Sequence, residues 1–286
     1  MSMVLVFGGN GQLGSCLQEV VKRQETEGMT YQFLTAAEGD ITDSRKLALL
    51  FQYNKPLYVI NCAAYTAVDL AEDEIEKARA INVTAVEALA QFCETYDSTL
   101  IHISTDFVFD GAQSTPYSES DAVAPLGIYG LTKLEGEKAV SQYCKKHFII
   151  RTSWLYSEFG NNFYKTMLRI SQGRESISVV ADQVGTPTYA MDLAAFIIHV
   201  IKSNSDKYGI YHFSNQGVAS WYDFACAILK DKQGLKILPI KSEAYPTKAK
   251  RPAYSVLDKS KIANTFSYEI PDWRDSLEVC KSQQIQ

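Results

Sequence analysis

The chain has 286 residues, 46% of them hydrophobic and 21% charged, with a formal net charge of −5. That length exceeds one average domain and the composition is ordinary for a soluble globular protein, so one large α/β domain or two coupled ones is expected. The mildly acidic balance gives no reason to expect a nucleic-acid or membrane partner.

The six cysteines (Cys16, Cys62, Cys93, Cys144, Cys226, Cys280) are scattered without a C-x-x-C pair, and the four histidines stand apart. Neither pattern has metal-site spacing, and free, mostly buried thiols in a reducing cytosol are the simplest reading. Met1-Ser2-Met3 leads directly into a strand, with no charged n-region or cleavage site. The longest apolar helical run, Leu193 to Ile201, is interrupted by His199 and too short to span a bilayer. A cytoplasmic protein is expected.

Met3 to Phe7 is a continuous apolar run that suits a parallel strand covered on both faces. It leads into Gly8-Gly9-Asn10-Gly11-Gln12-Leu13-Gly14 and then a helical pattern through Leu17, Val20 and Val21. Strand, glycine turn and helix in that order are the context of a dinucleotide site. The glycines let the backbone approach a pyrophosphate, and the helix N-terminus offers N–H groups. The spacing is G-x-x-G-x-x-G, a variant of the usual fingerprint, and a plain tight turn is its bland counterpart.

A second strand is predicted over Tyr31–Thr35. NAD-preferring folds place an acid at this strand's end, but here it reads Thr35-Ala36-Ala37, with Glu38 a little late, so NAD against NADP stays open. Asp40-Ile41 can border an adenine, or the stretch can serve a helix N-cap at Thr42 or Asp43, and both can hold. Leu57 to Ala64 reads as the third parallel strand, ending in small residues able to pass close to a cofactor. The acidic stretch Asp69, Glu72, Asp73, Glu74, Glu76 reads as a solvated helix face. A helix through Ala80–Ala90 then returns to Leu100-Ile101-His102-Ile103 and Ser104-Thr105-Asp106, which puts Thr105 at a strand end.

Tyr129 and Lys133 lie four apart in a helical pattern that runs on through Val140, so their side chains share one face. A hydroxyl at a strand end beside a Tyr/Lys face suits proton transfer to a carbonyl oxygen. Free Tyr, with a pKa of about 10, is a poor acid near neutrality, and a neighbouring Lys133 ammonium is expected to lower that value. By itself the spacing also describes an exposed Tyr beside a solvated Lys; the rest of the chain argues against that. Phe148–Arg151 is a further strand, a helix opens after Asn162, Asp192–Ile201 is helical, Gly209–Phe213 is a strand expected to rejoin the main sheet, and Trp221–Leu229 is helical. Alternating strands and helices predict a Rossmann-like doubly wound parallel sheet. Its chemistry is expected at the strands' carboxyl ends, where Gly8, Ala63 and Thr105 fall. The expected division is a dinucleotide-binding domain over 1–150, rejoined by about 187–213, and a smaller, intimately packed substrate domain over 151–286.

Gly8-x-x-Gly11-x-x-Gly14, Asn61-Cys62-Ala63-Ala64, Asn82, Ser104-Thr105-Asp106 and Tyr129-x-x-x-Lys133 stand in the order of the extended short-chain dehydrogenase/reductases. More narrowly, the chain resembles the dTDP-4-dehydrorhamnose reductase family. The resemblance rests on the stretch from Ala63 to Asp69, on Ser104 to Gly111, and on Pro125 to Gly130. It continues in Arg151-Thr152-Ser153-Trp154, Gly160 to Phe163, Asp182 to Thr188 and Arg251-Pro252. It implies reduction of the 4-keto group of dTDP-4-dehydro-β-L-rhamnose by NADPH or NADH. Tyr129 would protonate the developing alkoxide, Lys133 would tune Tyr129 and hold the nicotinamide ribose, and Thr105 would hydrogen-bond the carbonyl oxygen.

By family position the cofactor is expected against Gly8, Asn10, Gly11, Gln12, Leu13, Gly14, Asp40, Ile41, Ala63, Ala64, Tyr65 and Thr66, together with Tyr129 and Lys133. Asp106, Phe107, Trp154 and Asn162 would border the sugar. Trp154 and Phe107 can equally be core aromatics, Asp106 a turn cap and Asn162 a helix cap. Lys248, Lys250 and Arg251 are candidates for the substrate diphosphate, with Arg251 ahead of the lysines, which also read as a solvated run.

Some members of the family hold magnesium between subunits with acids after the glycine turn and after G-x-P-T. This chain has Ser15-Cys16 and Ala190-Met191 there, with only Asp192 nearby. No metal site is expected, and the chain is expected as a monomer or homodimer. The competing functions are reduction of another nucleotide-linked 4-keto sugar and a non-catalytic dinucleotide-binding regulatory subunit.

Overall fold

The computed structural model describes residues 2–24 and 28–283. Met1, ahead of the first strand, and residues 284–286 of the expected substrate domain lie outside the described residues.

The first strand, β1 (Ser2–Phe7), alternates between two cores. Val4 and Val6 face one apolar cluster, and Leu5 and Phe7 face the other. A strand buried on both sides has no room for polar residues, which is why it reads as an unbroken apolar run. It is followed by α1 (Gln12–Arg23), β2 (Met29–Leu34), α2 (Ser44–Asn54) and β3 (Tyr58–Asn61). Three short segments come next: α3 (Val68–Ala71), α4 (Ile75–Arg79) and a π-helical turn over Ala80–Thr84 that runs into α5 (Ala85–Thr95). Then come β4 (Thr99–Thr105), α6 (Ile128–Tyr143) and β5 (His147–Thr152).

The C-terminal half contains β6 (Leu155–Tyr156), α7 (Phe163–Ile170), β7 (Ser176–Val180), β8 (Val184–Gly185), β9 (Thr188–Tyr189) and α8 (Ala190–Ser203). After these come β10 (Gly209–His212), β11 (Ala219–Ser220), α9 (Trp221–Ile228), β12 (Lys236–Ile240), α10 (Ser260–Phe266) and α11 (Trp273–Gln283).

The main sheet has six strands in the order β10-β5-β4-β3-β1-β2, and every pairing in it is parallel. Helices α1 and α8 pack together on one face through Leu13, Leu17, Leu193, Phe196 and Ile197. On the other face α2, α5 and α6 cover the sheet with Leu47, Phe51, Val86, Leu89 and Val140. The chain reverses its direction of travel across the sheet at β1, so a crevice opens beyond the carboxyl ends of β1 and β3, where such folds take their ligands. The strand predicted at Gly209 pairs with β5 at the sheet edge.

A smaller lobe has its own core of Tyr156, Tyr164, Phe224, Trp273 and Leu277. Its parallel pair β7–β12 lies apart from the main sheet.

Two local expectations change, and one open choice is decided. The strand read to Ala64 ends at Asn61, because the chain turns there: Ala63 N–H donates to Asn61 Oδ1 at 3.1 Å. Of the two candidate caps, Asp43 takes α2, accepting from the N–H groups of Arg45 and Lys46. The acidic stretch after Asp69 is only partly a solvated face. Asp69, Glu72 and Glu74 are half-buried, and Glu72 accepts from Ile128 N–H at 2.8 Å while Glu74 accepts from the Tyr65 hydroxyl at 3.0 Å.

Candidate active site

The glycine turn stands at the crevice. Gly8 has φ of +76°, a left-handed conformation that favours glycine, and a Cβ there would lie 2.9 Å from Ala63 N. A Cβ on Gly14 would lie 2.3 Å from the Gly8 carbonyl oxygen, so this helix can start close against the turn only with glycine. Gly11 caps α1 with no side-chain bond to its first N–H groups, and no acid occupies the first turn. Bare N–H groups, an unopposed helix dipole and glycines where side chains would intrude form a cradle that fits a pyrophosphate. Asn10 and Gly11 are exposed, Gln12 is half-buried, and Leu13 is buried in the core below.

The flanks of the crevice come from β2 and β3. At the end of β2, Glu38 accepts from the backbone N–H and hydroxyl of Thr35 at 3.0 and 2.8 Å. Asp40 accepts from the N–H and hydroxyl of Thr42, and those bonds hold its carboxyl below the usual carboxylate range. Ile41 is buried. Beyond β3, Ala63 and Ala64 are half-buried and Thr66 is exposed. Tyr65 is clamped by Asn82, whose side chain accepts from its N–H at 2.9 Å and donates to its carbonyl at 3.2 Å.

Thr105 ends β4 and is buried; its hydroxyl donates to Asp106 Oδ1 at 3.1 Å and accepts from Phe107 N–H at 3.2 Å. That second bond gives the turn cap expected of Asp106 to Thr105 instead. Asp106 Oδ2 is buried with no hydrogen-bond partner. Burial pushes the Asp106 carboxyl up to about 6, against the pull of the Ser255 and Thr105 hydroxyls. A buried acceptor without a donor is costly.

Tyr129 and Lys133 occupy successive turns of α6. Phe107 meets Tyr129 edge-on, with ring centroids 5.6 Å apart at 75°. The expected effect of Lys133 on Tyr129 is not what the structure has. Burial pushes the Tyr129 phenol up to about 12, and the Asp106 carboxylate adds to the rise; a hydrogen bond with Thr105 opposes them. The Lys133 ammonium turns away and donates to the Ile103 carbonyl at 2.7 Å. Burial lowers Lys133 to about 8, with Glu137 pulling the other way.

His102 Nε2 lies 3.5 Å from Lys133 Nζ. Asn61 Oδ1 is engaged by Ala63 N–H, so its amide nitrogen faces His102 Nδ1 at 3.2 Å. The two ring nitrogens of His102 thus face the Asn61 amide and the Lys133 ammonium.

Trp154 has φ of +45°, uncommon for a bulky residue. Its ring stacks on Trp221, with centroids 3.5 Å apart and planes 9° from parallel. It is half-buried and outside the apolar cores, as is Phe107. Asn162 does cap α7, accepting from Lys165 N–H at 3.0 Å, and its amide also donates to Gln12 Oε1 at 2.6 Å. Arg251 grips Asp69 through two bonds of 2.8 and 3.2 Å. Lys248 pairs with Asp73, so it is not simply solvated. Lys250 is exposed.

Motif and periodicity give no functional role to Ser255, His102, Trp221, Glu137 or Arg151. Glu137 had a signal, since it follows Lys133 by one helical turn. Ser255 and Trp221 had none, because only the folded chain brings them to Asp106 and Trp154.

Residues 1–285 match the family described as RmlD substrate binding domain. The dTDP-4-dehydrorhamnose reductase of Aggregatibacter actinomycetemcomitans is 42% identical over 289 residues, covering 97% of each chain. That of Escherichia coli (strain K12) is 41% identical over 281 residues, covering 95% of this chain and 94% of its own. The crystal structure of dTDP-4-dehydrorhamnose reductase from Bacillus anthracis in complex with NADP superposes with a TM-score of 0.92 at 39% identity, over 99% of this chain and all of that one.

Proposed function

The chain belongs to the dTDP-4-dehydrorhamnose reductase family, and from that premise we infer that it reduces the 4-keto group of dTDP-4-dehydro-β-L-rhamnose to dTDP-L-rhamnose. It is an NAD(P)H-dependent oxidoreductase that makes the last step of dTDP-L-rhamnose synthesis. The observation that carries the reading is the Tyr129–Lys133 turn of α6 packed against the end of β4 around Thr105, with Lys133 bonded to the Ile103 carbonyl two residues before it and Tyr129 against the Phe107 ring two residues after it.

Residues 1–150, with the return over about 187–213, hold the dinucleotide in this proposal, and 151–286 hold the nucleotide sugar. Gly8, Asn10, Gly11, Gln12, Leu13 and Gly14 receive the pyrophosphate, Asp40 and Ile41 the adenine side, and Ala63, Ala64, Tyr65 and Thr66 the far wall. When bound, the reduced nicotinamide supplies the hydride. Thr105 steadies the carbonyl oxygen, and Tyr129 donates its proton to that oxygen as negative charge develops there. Burial leaves this phenol protonated at neutral pH but a weaker acid than free Tyr, so its proton leaves only as negative charge develops on the bound oxygen. Lys133 supplies positive charge on the same helix face. Asp106, Phe107, Trp154 and Asn162 border the sugar, and Arg251 exchanges Asp69 for the diphosphate.

Among the described residues no three His, Cys, Asp or Glu side chains are grouped to hold a metal, and no helix is long and apolar enough to cross a membrane. We place the enzyme in the cytoplasm, in keeping with its free cysteines, as a monomer or homodimer without a magnesium bridge. An apparent mass that doubled on adding magnesium would refute the last point.

The reaction is tested by following oxidation of NADPH, then NADH, on adding freshly generated dTDP-4-dehydro-β-L-rhamnose and identifying the product. Rapid oxidation to dTDP-L-rhamnose is expected. A folded protein that binds NADPH yet oxidises none of it would shift the reading to another keto sugar or to a regulatory subunit.

A further inference from the structure

A buried ion pair that the proposed chemistry does not use lies directly behind Lys133. Glu137 and Arg151 have side chains 2% and 3% exposed, and their bonds measure 2.9 Å (Nε to Oε1) and 2.7 Å (Nη2 to Oε2). The Ser104 hydroxyl donates to the same Glu137 Oε1 at 2.5 Å. Three elements therefore meet on one carboxylate. Glu137 belongs to α6 one turn beyond Lys133, Ser104 to β4 next to Thr105, and Arg151 to β5. Arg151 is itself held over the Phe109 ring and lies 3.4 Å from His212 Nε2 on β10.

A buried pair of this kind contributes little to net stability, because desolvation of both ions offsets their attraction. It does fix geometry: a bidentate guanidinium–carboxylate fork has one good arrangement. The catalytic groups sit on two of the elements it joins.

Resting on the reduction proposed above, we propose that Glu137 is a positioning residue. Its carboxylate, gripped by Arg151 and Ser104, holds the Lys133 turn of α6 against the strand end that carries Thr105, and it is the acid one helical turn from Lys133 on α6. The other groups around Lys133 are Tyr129 on its own helix, the His102 ring on β4, the Cys62 thiol beyond β3, and Arg151 on β5 behind Glu137. None of these is an anion at neutral pH: burial keeps His102 neutral and raises the Cys62 thiol to about 12. Glu137 is the counter-charge that raises Lys133 against its burial.

The experiment titrates Lys133 directly by side-chain NMR in wild-type protein and in Glu137→Gln, each without substrate, and records kcat/KM against pH for both. Glu137→Gln keeps the shape and loses the charge. The Lys133 titration and the high-pH limb of kcat/KM are both expected to move down together, by about one pH unit or more, while Glu137→Asp stays nearer wild type. An unmoved Lys133 titration in folded Glu137→Gln overturns the proposal. Should Glu137→Gln not fold, Glu137→Leu with Arg151→Met leaves no unpaired buried charge; Lys133 is then expected to move down by less, because the Arg151 charge goes too, and an unmoved titration again overturns the proposal. Failure of the wild-type protein to reduce the keto sugar would strike the reaction, not this proposal, since the NMR titration needs no turnover.

Discussion

Asn162, at the head of α7, donates its amide to Gln12 Oε1, at the head of α1, across 2.6 Å. One side chain thus caps a helix of the small lobe and touches the glycine turn of the large one. Asn162→Ala should cost about 1–2 kcal/mol, as N-cap losses do, and should raise KM for both NADPH and the nucleotide sugar. Asn162→Asp caps as well but has no amide to donate. It should recover the stability in urea unfolding without recovering both KM values.

Tyr129→Phe removes a hydroxyl and leaves the edge contact with Phe107 in place. Turnover should fall by about 10²–10⁴, the usual weight of a general acid, with NADPH affinity in fluorescence titration nearly unchanged. Near-wild-type turnover would remove Tyr129 from its role.

Asp106 offers a test by stability. Its carboxyl is raised from 3.8 to about 6 by burial, so between those values the folded protein keeps a proton that the unfolded chain has released. The unfolding free energy therefore falls as pH rises through that window, by about 3 kcal/mol in all. Asp106→Asn escapes this loss. The variant should match the wild type near pH 4 and exceed it in urea at pH 7, while binding the sugar nucleotide less well. A stability difference that is flat with pH would contradict this account of Asp106.

Lys133 titrates the opposite way in stability. Its ammonium is lowered from 10.5 to about 8, so above that value the folded protein has lost a proton that the unfolded chain retains, and this group's contribution to stability rises with pH up to about 10.5. Activity needs the charge, so kcat/KM should decline above about pH 8. Lys133→Met should lower kcat/KM throughout and abolish that decline.

Arg251→Ala should raise KM for the nucleotide sugar about tenfold or more, the scale of losing a charge-assisted fork, with kcat and NADPH affinity little changed. Equal effects on sugar and cofactor would point to a general disturbance of the cleft instead.

Much of this was legible in the residues. The order of β1, the glycine turn and α1 shows in a run of apolar residues broken by Gly8, because a doubly covered strand and a close pyrophosphate cradle each tolerate few residue types. Thr105 at a strand end and Tyr129 one turn from Lys133 follow from local periodicity. What periodicity does not carry is the direction in which a side chain leaves its helix turn. Lys133 shares a face with Tyr129, yet its ammonium bonds to Ile103, so the expected lowering of the phenol did not appear. Acids at Asp69 and Asp73 look solvated in sequence because their cationic partners, Arg251 and Lys248, follow more than a hundred residues later.

The pairing of β10 with β5 has a consequence for how the chain can be divided. The sheet's last strand arrives only after α7, the short strands of the small lobe and α8 have been traversed. Until residue 212 is available, the outer edge of β5 presents a row of unpaired N–H and C=O groups, open to adventitious strands. Closing so long a loop makes completion of the sheet a late event in folding. No single cut yields two self-sufficient halves, and a fragment ending at Thr152 would carry a sticky edge in place of a finished one.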